Sequence, residues 1–300
     1  MAESPHVGFI GIGNMGWPMA ANVAKAGLPL TVYDANPDAS KRFADEHGCT
    51  AAGNLADLGA AADIVVTMLP TGPIVRAVML DADGGGLAPH LAAGAIVIDM
   101  SSSEAIGNRE LGAILAQKGI TLIDAPVSGG VPRAEDGSLA IMIGGDDEDA
   151  IAKAEPVLST MGGKLFRTGG LGNGHAMKAL NNYVAAAGFT AAAEAMIMGQ
   201  KFGLEPATMI DIINNSTGRN FNTELPIKDH VLTGTFATGF QLGLMAKDVK
   251  IAGDLGESID IEAPLSRLVR DLWADALGAL GPTQDFTAAI KRWEAINKKG

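Results

Sequence analysis

The chain has 300 residues, a length typical of two domains and sufficient to bury about three quarters of the unfolded surface. Hydrophobic residues make up 47% and charged residues 19% of the sequence, a composition that excludes intrinsic disorder. The 34 acidic residues outnumber the 22 basic ones and give a net charge of −12, which argues against binding to nucleic acids or anionic membranes. This balance still allows a local cationic pocket for a small anion.

Residues that bind metals or form disulfides are sparse. Cys49 is the single cysteine, so neither an internal disulfide nor a cysteine-rich metal site is expected, and a reducing compartment is favoured. The five histidines are scattered, and we expect no bound metal. The N-terminal segment lacks the basic and long apolar parts of a signal peptide, and no run approaches about 18 apolar residues. We therefore expect a cytoplasmic protein without a membrane partner.

The first part of the chain alternates between short apolar runs and segments with helical spacing. Strands are predicted at residues 7–10, 30–33, 64–68, 95–98, 121–123 and 140–143. Helices are predicted at residues 15–26, 37–47, 73–80 and 103–118. This alternation predicts βαβ units with a parallel sheet, and the continuous apolar runs indicate helices on both faces of it. We assign this α/β domain to residues 1–168.

The second part of the chain has a different pattern. From about Gly170 onward Ala, Met, Leu and Glu dominate, and we find no convincing strand. An all-helical domain is therefore predicted at residues 169–300. The boundary lies in the glycine-rich stretch 168–174, where a long helical pattern begins.

A glycine-rich loop with the pattern GxGxxG follows the first predicted strand and opens a helix. It comprises Gly11, Ile12, Gly13, Asn14, Met15 and Gly16. Residues without a Cβ allow a tight turn, close approach of the backbone to a pyrophosphate, and close packing of helix and strand. The helix start offers free N–H groups and a partial positive charge to the anion. The loop therefore predicts a dinucleotide-binding site.

An acidic residue stands where such a site needs one, at the end of the second predicted strand. Asp34 lies about 20 residues beyond the loop and can accept hydrogen bonds from the ribose hydroxyls of the adenosine. Its carboxylate would repel a 2′-phosphate, and no arginine follows it before Arg42. We therefore expect NAD rather than NADP as the cofactor. An ordinary turn-forming role for Asp34 is the alternative.

Four segments in order along the chain carry a more specific signal than any single motif. They are VGFIGIGNMGWPMAANVAKAG at residues 7–27, DAPVSGG at 124–130, GNGHAMKALNN at 172–182 and LMAKD at 244–248. This set resembles the β-hydroxyacid dehydrogenases, the family of 3-hydroxyisobutyrate dehydrogenase. By that resemblance the segments are the N-terminal signature, the substrate-binding segment, the catalytic segment and the C-terminal Lys-Asp motif.

The resemblance implies a fold and a reaction. The fold is a doubly wound Rossmann-type N-terminal domain, a long interdomain helix and a helical C-terminal domain that serves substrate binding and oligomerisation. The reaction is the reversible NAD(P)-dependent oxidation of a small β-hydroxy acid to its semialdehyde. A substrate like 3-hydroxyisobutyrate is expected, or one like glycerate, the product of 2-hydroxy-3-oxopropionate reduction. The alternatives are reduction of a semialdehyde of the 4-hydroxybutyrate or 3-hydroxypropionate type, and a catalytically silent NAD-binding protein.

Oxidation of an alcohol by hydride transfer requires a base for the hydroxyl proton, and the resemblance assigns this role to Lys178. Apolar neighbours on its predicted helix would disfavour the charged ammonium. Asn182 follows four residues later on the same helical face, where it could hold the substrate beside the amine. His175 is a rival acid or base, for which we expect a polar wall or a structural role.

The remaining site residues follow from the resemblance and from local chemistry. Ser128, Gly129 and Gly130 are expected to bind the substrate carboxylate, because this segment offers a hydroxyl group and closely spaced backbone N–H groups. Further cofactor contacts are expected at Leu69, Pro70, Ser102 and Lys247. The alanine-rich stretch 185–198 permits close packing of helices, and we expect a homodimer or homotetramer formed through the helical domain.

Overall fold

The structure is a computed structural model that describes residues 4–81 and 86–297. The chain forms two compact units, Met1–Lys178 and Ala179–Gly300. All named strands within the described residues belong to the first unit, and the second unit is helical. The predicted fold class, an α/β domain followed by a helical one, is thereby confirmed.

The first unit is built on one sheet. Its strands are β1 (Val7–Ile10), β2 (Leu30–Tyr33), β3 (Thr50–Ala51), β4 (Ile64–Thr67), β5 (Ile96–Asp99), β6 (Thr121–Asp124), β7 (Val127–Ser128), β8 (Ala140–Gly144) and β9 (Lys164–Gly169). Their order in the sheet is β3-β2-β1-β4-β5-β6-β8-β7, with β9 beside β8. The first six strands are parallel, and their order is that of doubly wound dinucleotide-binding folds.

The last strands differ from the parallel sheet that the sequence predicts. β8 runs antiparallel to both β6 and β7, while β9 is parallel to β8. Only residues 129–139 separate β7 from β8, which is shorter than a parallel crossover connection requires. β3 and β9 are absent from the sequence prediction because their residues are largely exposed and form no continuous apolar run.

Helices cover both faces of this sheet. They are α1 (Gly16–Lys25), α2 (Pro37–His47), α3 (Leu55–Ala61), α4 (Gly72–Leu80), α5 (Ala105–Ala116), α6 (Gly130–Glu135) and α7 (Glu148–Met161), with a 3₁₀ helix at Ala88–His90. Local signals set the bounds of α2: the Asn36 side chain accepts the N–H of Asp38, and Gly48 ends the helix at a φ of 68°. α7 is absent from the sequence prediction because Pro156 interrupts an otherwise helical pattern.

Successive residues of the central strands are buried on opposite faces of the sheet. Phe9 and Ile98 belong to one apolar cluster with residues of α1 and α7, and Ile10 and Val97 to a second with residues of α3 and α5. This two-sided burial explains why the strands are apolar at every position.

The second unit is a helical bundle with an aromatic core. α8 (Asn173–Phe202) begins in the first unit and continues into the second, as a long interdomain helix should. It is followed by α9 (Pro206–Asn214), α10 (Phe221–Glu224), α11 (Leu242–Ser258), α12 (Pro264–Leu280) and α13 (Ala289–Asn297), with a π-helix at Ile227–Val231 and a 3₁₀ helix at Phe286–Ala288. The ring of Phe189 lies 5.9 Å from Trp273 and 5.3 Å from Phe286, and Trp273 donates a hydrogen bond to Thr190 at 3.0 Å. Among the residues described, no helix is both long and apolar enough to cross a membrane.

Candidate active site

The carboxyl ends of five parallel strands are aligned along one edge of the sheet. Their last residues pair from strand to strand in the order Tyr33, Ile10, Thr67, Asp99 and Asp124. In open α/β sheets nucleotides bind outside this edge, at the point where the strand order reverses. Here that point lies between β1 and β4, so the segments that follow these strands form the candidate site.

The three glycines of the loop after β1 have different surroundings. A Cβ on Gly11, whose φ is 99°, would lie 2.3 Å from the carbonyl oxygen of Met68. A Cβ on Gly16 would lie 1.8 Å from the carbonyl oxygen of Gly11. A Cβ on Gly13 would meet no atom of the described residues within 4 Å. The fold itself therefore requires Gly11 and Gly16, whereas Gly13 is exposed and leaves room for a ligand to approach the backbone.

The start of α1 is suited to an anion. Met15 precedes the helix without a side-chain cap, and the first turn contains no acidic residue, both within the described part of the chain. The first N–H groups of a helix have no intrahelical partner and carry a partial positive charge. Together with the open space at Gly13, this arrangement fits the pyrophosphate of a dinucleotide.

Asp34 follows β2 and is held by two backbone groups. The N–H of Ile12 donates to Oδ2 at 2.7 Å, and the N–H of Asn36 donates to Oδ1 at 2.8 Å. Each carboxylate oxygen keeps a further lone pair that a ribose hydroxyl could use. Arg42 stacks its guanidinium on the ring of Trp17, 4.3 Å from the ring centre. The carboxylate is thus fixed beside the glycine loop.

The loops after β4 and β5 are tied to each other. The N–H of Leu69 donates to the hydroxyl oxygen of Ser101 at 2.9 Å, and Ser101 is fully buried. Leu69 and Ser102 are half-buried, and Pro70 is exposed. The three candidate cofactor contacts of these loops therefore lie at the surface of the same sheet edge.

The candidate substrate segment lies at β7. Ser128 is half-buried and pairs with Ala140 of β8. Gly129 and Gly130 are exposed, with φ values of 141° and 70° that favour glycine. Successive backbone N–H groups in such a turn can form a concavity for an anion, beside which Ser128 supplies a hydroxyl.

Asp99, at the end of β5, is the centre of a buried hydrogen-bond network. Its Oδ1 accepts hydrogen bonds from the Thr67 hydroxyl and from the N–H of Ser101, both at 3.0 Å. Its Oδ2 accepts hydrogen bonds from the Ser103 hydroxyl at 2.8 Å and from Asn108 Nδ2 at 3.2 Å. All five residues are buried. The network joins the ends of β4 and β5 to the start of α5.

His175 completes this network from α8. Its Nε2 lies 3.1 Å from Asp99 Oδ2, and the side chains of both residues are fully buried. Burial would raise the pKa of Asp99, but the hydrogen bond and charge of His175, with hydrogen bonds from two serines, hold that pKa at about 2. Burial would lower the pKa of His175, but the hydrogen bond and charge of Asp99 and the charge of Asp124 raise it. A buried, bonded side chain of this kind has the structural role expected for His175.

The start of α8 is bonded to the end of β6. Asp124 Oδ1 accepts the N–H of Gly172 at 2.7 Å, and Oδ2 accepts the N–H of His175 at 2.8 Å. Asp124 is fully buried, and this burial raises the pKa of its carboxyl. The carboxylate thus serves as a helix cap supplied by a distant part of the chain.

Lys178 lies three residues after His175 on α8 and is half-buried. Its neighbours Met177 and Leu180 are 44% and 42% exposed, so apolar surface flanks the lysine. The elements that fix the start of α8 therefore also determine where the Lys178 backbone lies in the first unit.

In the second unit, Asn182 of α8 and Lys247 of α11 lie at one buried carboxylate, that of Asp248. Asn182 Nδ2 donates to Asp248 Oδ2 at 2.6 Å, and Asn181 Nδ2 donates to Asn182 Oδ1 at 3.1 Å. Lys247 Nζ lies 3.7 Å from Asp248 Oδ1. Asp248 is 3% exposed.

The roles of the three buried aspartates, Asp99, Asp124 and Asp248, were not predicted from the sequence. Asp99 and Asp124 each end a strand whose other residues are apolar, and a charged residue at that position was the available signal. Asp248 was considered only as part of the C-terminal Lys-Asp motif at 244–248.

The strand order and the loop after β1 define a dinucleotide-binding protein. Two family models cover nearly all of the chain: the NAD binding domain of 6-phosphogluconate dehydrogenase at residues 6–170, and the NAD-binding domain of NADP-dependent 3-hydroxyisobutyrate dehydrogenase at residues 172–293. The chain belongs to the β-hydroxyacid dehydrogenase family, whose members are oxidoreductases.

Named relatives align over most of their length. The chain is 35% identical to 2-(hydroxymethyl)glutarate dehydrogenase of Eubacterium barkeri, covering 99% of this chain and 97% of the relative. It is 37% identical to the mitochondrial 3-hydroxyisobutyrate dehydrogenase of Homo sapiens, covering 97% and 87%. A solved structure of the Mycobacterium tuberculosis 3-hydroxyisobutyrate dehydrogenase with L-serine has a TM-score of 0.88 at 34% identity, covering 97% of this chain and 99% of that chain.

Proposed function

We propose that the protein catalyses the reversible NAD-dependent oxidation of a small β-hydroxy acid to its semialdehyde, with Lys178 as the general acid/base. The observation that carries this proposal is the fixed start of α8: Asp124 holds the N–H of His175 at 2.8 Å, and the lysine follows one helical turn later. A proton acceptor must be positioned to act in the transition state, and a helix anchored in this way meets that requirement.

The cofactor site in this proposal comprises the loop residues Gly11, Ile12, Gly13, Asn14, Met15 and Gly16 together with Asp34, Leu69, Pro70, Ser102 and Lys247. When bound, the nicotinamide accepts the hydride from the alcohol carbon. The open space at Gly13 and the uncapped start of α1 support binding of the pyrophosphate. The half-buried state of Ser102, beside the fully buried Ser101, supports Ser102 as the hydroxyl that reaches the cofactor.

NAD is proposed over NADP on the basis of charge. Asp34 is held with both oxygens beside the loop, and Asp38 follows in the first turn of α2. A 2′-phosphate would lie close to these carboxylates, which repel it. The guanidinium of Arg42 lies over the ring of Trp17, 4.3 Å from the ring centre.

The substrate contacts in this proposal are Ser128, Gly129, Gly130, Lys178 and Asn182. The turn at Gly129 and Gly130 would receive the carboxylate, and the Ser128 hydroxyl would add a hydrogen bond. The amine of Lys178 takes the hydroxyl proton as the carbonyl forms and returns it in the reverse direction. While Asn182 donates to Asp248 and its oxygen accepts from Asn181, it keeps a second N–H and one lone pair of that oxygen for the substrate.

The names of the relatives indicate a substrate class. 3-Hydroxyisobutyrate, 2-(hydroxymethyl)glutarate and L-serine all contain a 3-hydroxypropanoate unit and differ only in the substituent on C2. Glycerate belongs to the same class. We propose that this protein recognises the shared unit, with the substrate hydroxyl at Lys178 and the carboxylate at the Ser128 turn. The residues around the substituent on C2 would then select among the members of the class.

A panel of substrates tests this proposal. NADH formation at 340 nm is measured with 3-hydroxypropionate, 3-hydroxyisobutyrate, glycerate, L-serine and 2-(hydroxymethyl)glutarate. The control is 4-hydroxybutyrate, which has one more carbon between its hydroxyl and carboxylate groups. We expect oxidation of one or more 3-hydroxypropanoates, with kcat/KM at least tenfold above that for 4-hydroxybutyrate. Preference for 4-hydroxybutyrate would support the alternative semialdehyde class, and the absence of turnover with tight NADH binding would indicate a silent NAD-binding protein.

We also propose a homodimer or homotetramer formed through the helical unit. Val184, Ala191 and Met198 recur every seven residues on α8 and are exposed, Val184 at 67% and Met198 at 66%, and Phe202 on the same helix is 87% exposed. A repeat of seven is typical of a helix face that packs on another helix. Sedimentation of a species of 30.7 kDa would contradict the proposal.

The same proposal assigns dinucleotide binding to residues 1–168, substrate binding and association to residues 169–300, and the cytoplasm as the compartment. The single cysteine supports a reducing compartment. Fractionation of cells that express the protein, followed by detection of the protein in each fraction, tests the compartment.

A further inference from the structure

The start of α8 is packed against Asp124 more closely than a helix with ordinary residues allows. A Cβ on Gly174 would lie 2.7 Å from Asp124 Oδ2 and 2.3 Å from the carbonyl oxygen of Met142. A Cβ on Gly144 would lie 2.4 Å from Asp124 Oδ1. Glycine at both positions lets the carboxylate reach the N–H groups of Gly172 and His175. Gly174 and Gly144 thus allow the start of α8 to pack closely against Asp124.

Two adjacent strands hold α8 through different parts of His175. The backbone N–H of His175 donates to Asp124 at the end of β6, and its Nε2 lies 3.1 Å from Asp99 at the end of β5. Asp99 and Asp124 pair directly in the register of these strands. Backbone and side chain of one residue are therefore bonded to neighbouring points of one rigid sheet edge, which restrains both the position and the rotation of the first helical turn.

The partners of Asp99 limit how far this arrangement can shift. Four other groups donate to its carboxylate, and they come from Thr67, Ser101, Ser103 and Asn108. A carboxylate with five donors has little freedom to rotate, because a rotation would leave several buried donors without a partner. The sheet edge therefore presents a fixed acceptor to His175 Nε2.

We propose that Asp99, Asp124 and His175 are positioning residues for the reaction: they fix the first turn of α8 against the sheet edge and so set where the amine of Lys178 stands. We call these three residues the α8 anchor. The inference rests on the proposed function of Lys178. The anchor residues do not touch substrate or cofactor in it, and they act through the lysine three residues beyond His175.

The first test separates turnover from binding. In Asp124→Asn the amide offers one acceptor and one donor to two backbone N–H groups, so one of the two hydrogen bonds is lost. We expect kcat to fall at least tenfold, while the dissociation constant of NADH, measured by fluorescence, changes less than twofold. Asp146→Asn is the matched control, because Asp146 is exposed and accepts the N–H of Leu171 in a longer hydrogen bond of 3.3 Å. The kcat of this variant should stay within twofold of that of the unaltered protein.

The second test asks whether the anchor acts through Lys178. Turnover of Lys178→Ala is measured with added ethylamine, and the same measurement is made on the double variant with Asp124→Asn. If the anchor acts by placing the lysine, adding Asp124→Asn to Lys178→Ala changes the residual rate and the ethylamine-assisted rate less than twofold. An equal loss of rate in both backgrounds would overturn the inference, because it would show that Asp124 acts independently of the lysine.

A third measurement does not depend on turnover. Amide hydrogen exchange of residues 172–178 should become at least tenfold faster in Asp124→Asn and in His175→Ala, while exchange in β1 stays unchanged. His175→Gln, which keeps a side-chain N–H donor, should restore part of the protection and of kcat. Unchanged exchange together with unchanged kcat in both anchor variants would overturn the inference. If Lys178→Ala retained full activity, the proposed function would fail, while the exchange result would still report on the anchor.

Should Asp124→Asn fail to fold, as judged by circular dichroism, His175→Ala and Asp99→Asn carry the same tests. Fast exchange at the start of α8 without a change in kcat in a folded variant also contradicts the inference. In that case the anchor would stabilise the helix without setting the position of the lysine.

Discussion

Asn182 and Asp248 form a 2.6 Å hydrogen bond between side chains that belong to different helices of the second unit. Because the amide nitrogen is bonded to a carboxylate that is 3% exposed, the rotation of the Asn182 side chain is fixed. The pair links the Lys-Asp motif at 247–248 to the segment 172–182. In our proposal Lys247 contacts the cofactor, and Asp248 orients the Asn182 amide that contacts the substrate.

Asp248→Asn should therefore impair use of the hydroxy acid. The amide of the new residue can no longer accept with the strength of a carboxylate, and Asn182 is free to rotate. We expect the KM for the hydroxy acid to rise about tenfold or more, while the KM for NAD changes less than twofold. Steady-state kinetics with each substrate varied in turn measures both. Asp254→Asn on the same helix, where Asp254 forms an exposed ion pair with Lys250, is the control and should leave both constants unchanged.

Lys178→Ala should abolish most of the turnover and leave the fold intact. A positioned general acid or base contributes roughly 10²–10⁴ to a rate, so kcat should fall by about 10³. Lys178 is half-buried, and its removal leaves no large cavity, so the melting temperature and NADH binding should change little. Lys201→Ala, at an exposed position of the same helix, is the matched control. Wild-type kcat in the Lys178 variant would contradict the assigned role.

Features that depend on neighbouring residues could be predicted from the sequence. The predicted strands at 7–10 and 30–33 and the predicted helix at 37–47 have the same bounds in the structure, because periodicity, Asn36 as a cap and Gly48 at a positive φ are all local signals. The glycine loop was recognisable for the same reason: a turn, a helix start and their glycines lie within six positions of one another.

Features that depend on the register of distant strands could not be predicted. Asp99 and His175 are 76 residues apart, and Asp124 and His175 are 51 apart. Their contact follows from the pairing of Asp99 with Asp124 in neighbouring strands, which no local pattern encodes. The strand at 140–143 was predicted, but its antiparallel direction was not, and the exposed β9 was missed, because the pairing at the end of the sheet is set by tertiary packing.

Asp34→Asn should shift the cofactor preference toward NADP. The substitution removes the negative charge that opposes a 2′-phosphate and keeps one oxygen as an acceptor for the N–H of Ile12 or Asn36. We expect the ratio of kcat/KM for NADP to that for NAD to rise at least tenfold. Asp45→Asn, at an exposed position near the other end of α2, is the control and should leave the ratio unchanged. An unaltered ratio in Asp34→Asn would remove the charge argument.

Two glycines of the loop should respond to alanine in opposite ways. Gly16→Ala puts a Cβ 1.8 Å from the carbonyl oxygen of Gly11, so it should destabilise the protein by about 3 kcal/mol, the upper part of the usual range for overpacking. Gly13→Ala meets no protein atom within 4 Å among the described residues and should leave the melting temperature unchanged.

The Gly13→Ala methyl instead occupies the space proposed for the pyrophosphate, and the KM for NAD should rise at least tenfold. Thermal unfolding without cofactor and kinetics with varied NAD distinguish the two effects. Equal destabilisation by both substitutions, or an unchanged KM in Gly13→Ala, would contradict the proposed position of the cofactor.

His175→Asn should make stability depend less on pH above neutrality. The folded pKa of His175 is raised above the ordinary value of 6.5, so the folded state binds this proton more tightly than the unfolded state. The resulting stabilisation is complete below about pH 6.5 and is lost as the pH rises through the folded pKa. The difference in unfolding free energy between the unaltered protein and the variant should therefore shrink with rising pH, at a limiting slope of about 1.4 kcal/mol per pH unit. Urea unfolding at pH values from 6.5 to 9 measures it, with His90→Asn, an exposed histidine outside the network, as the control. A difference that stays constant over this range would show that His175 does not carry the proton that the buried carboxylates favour.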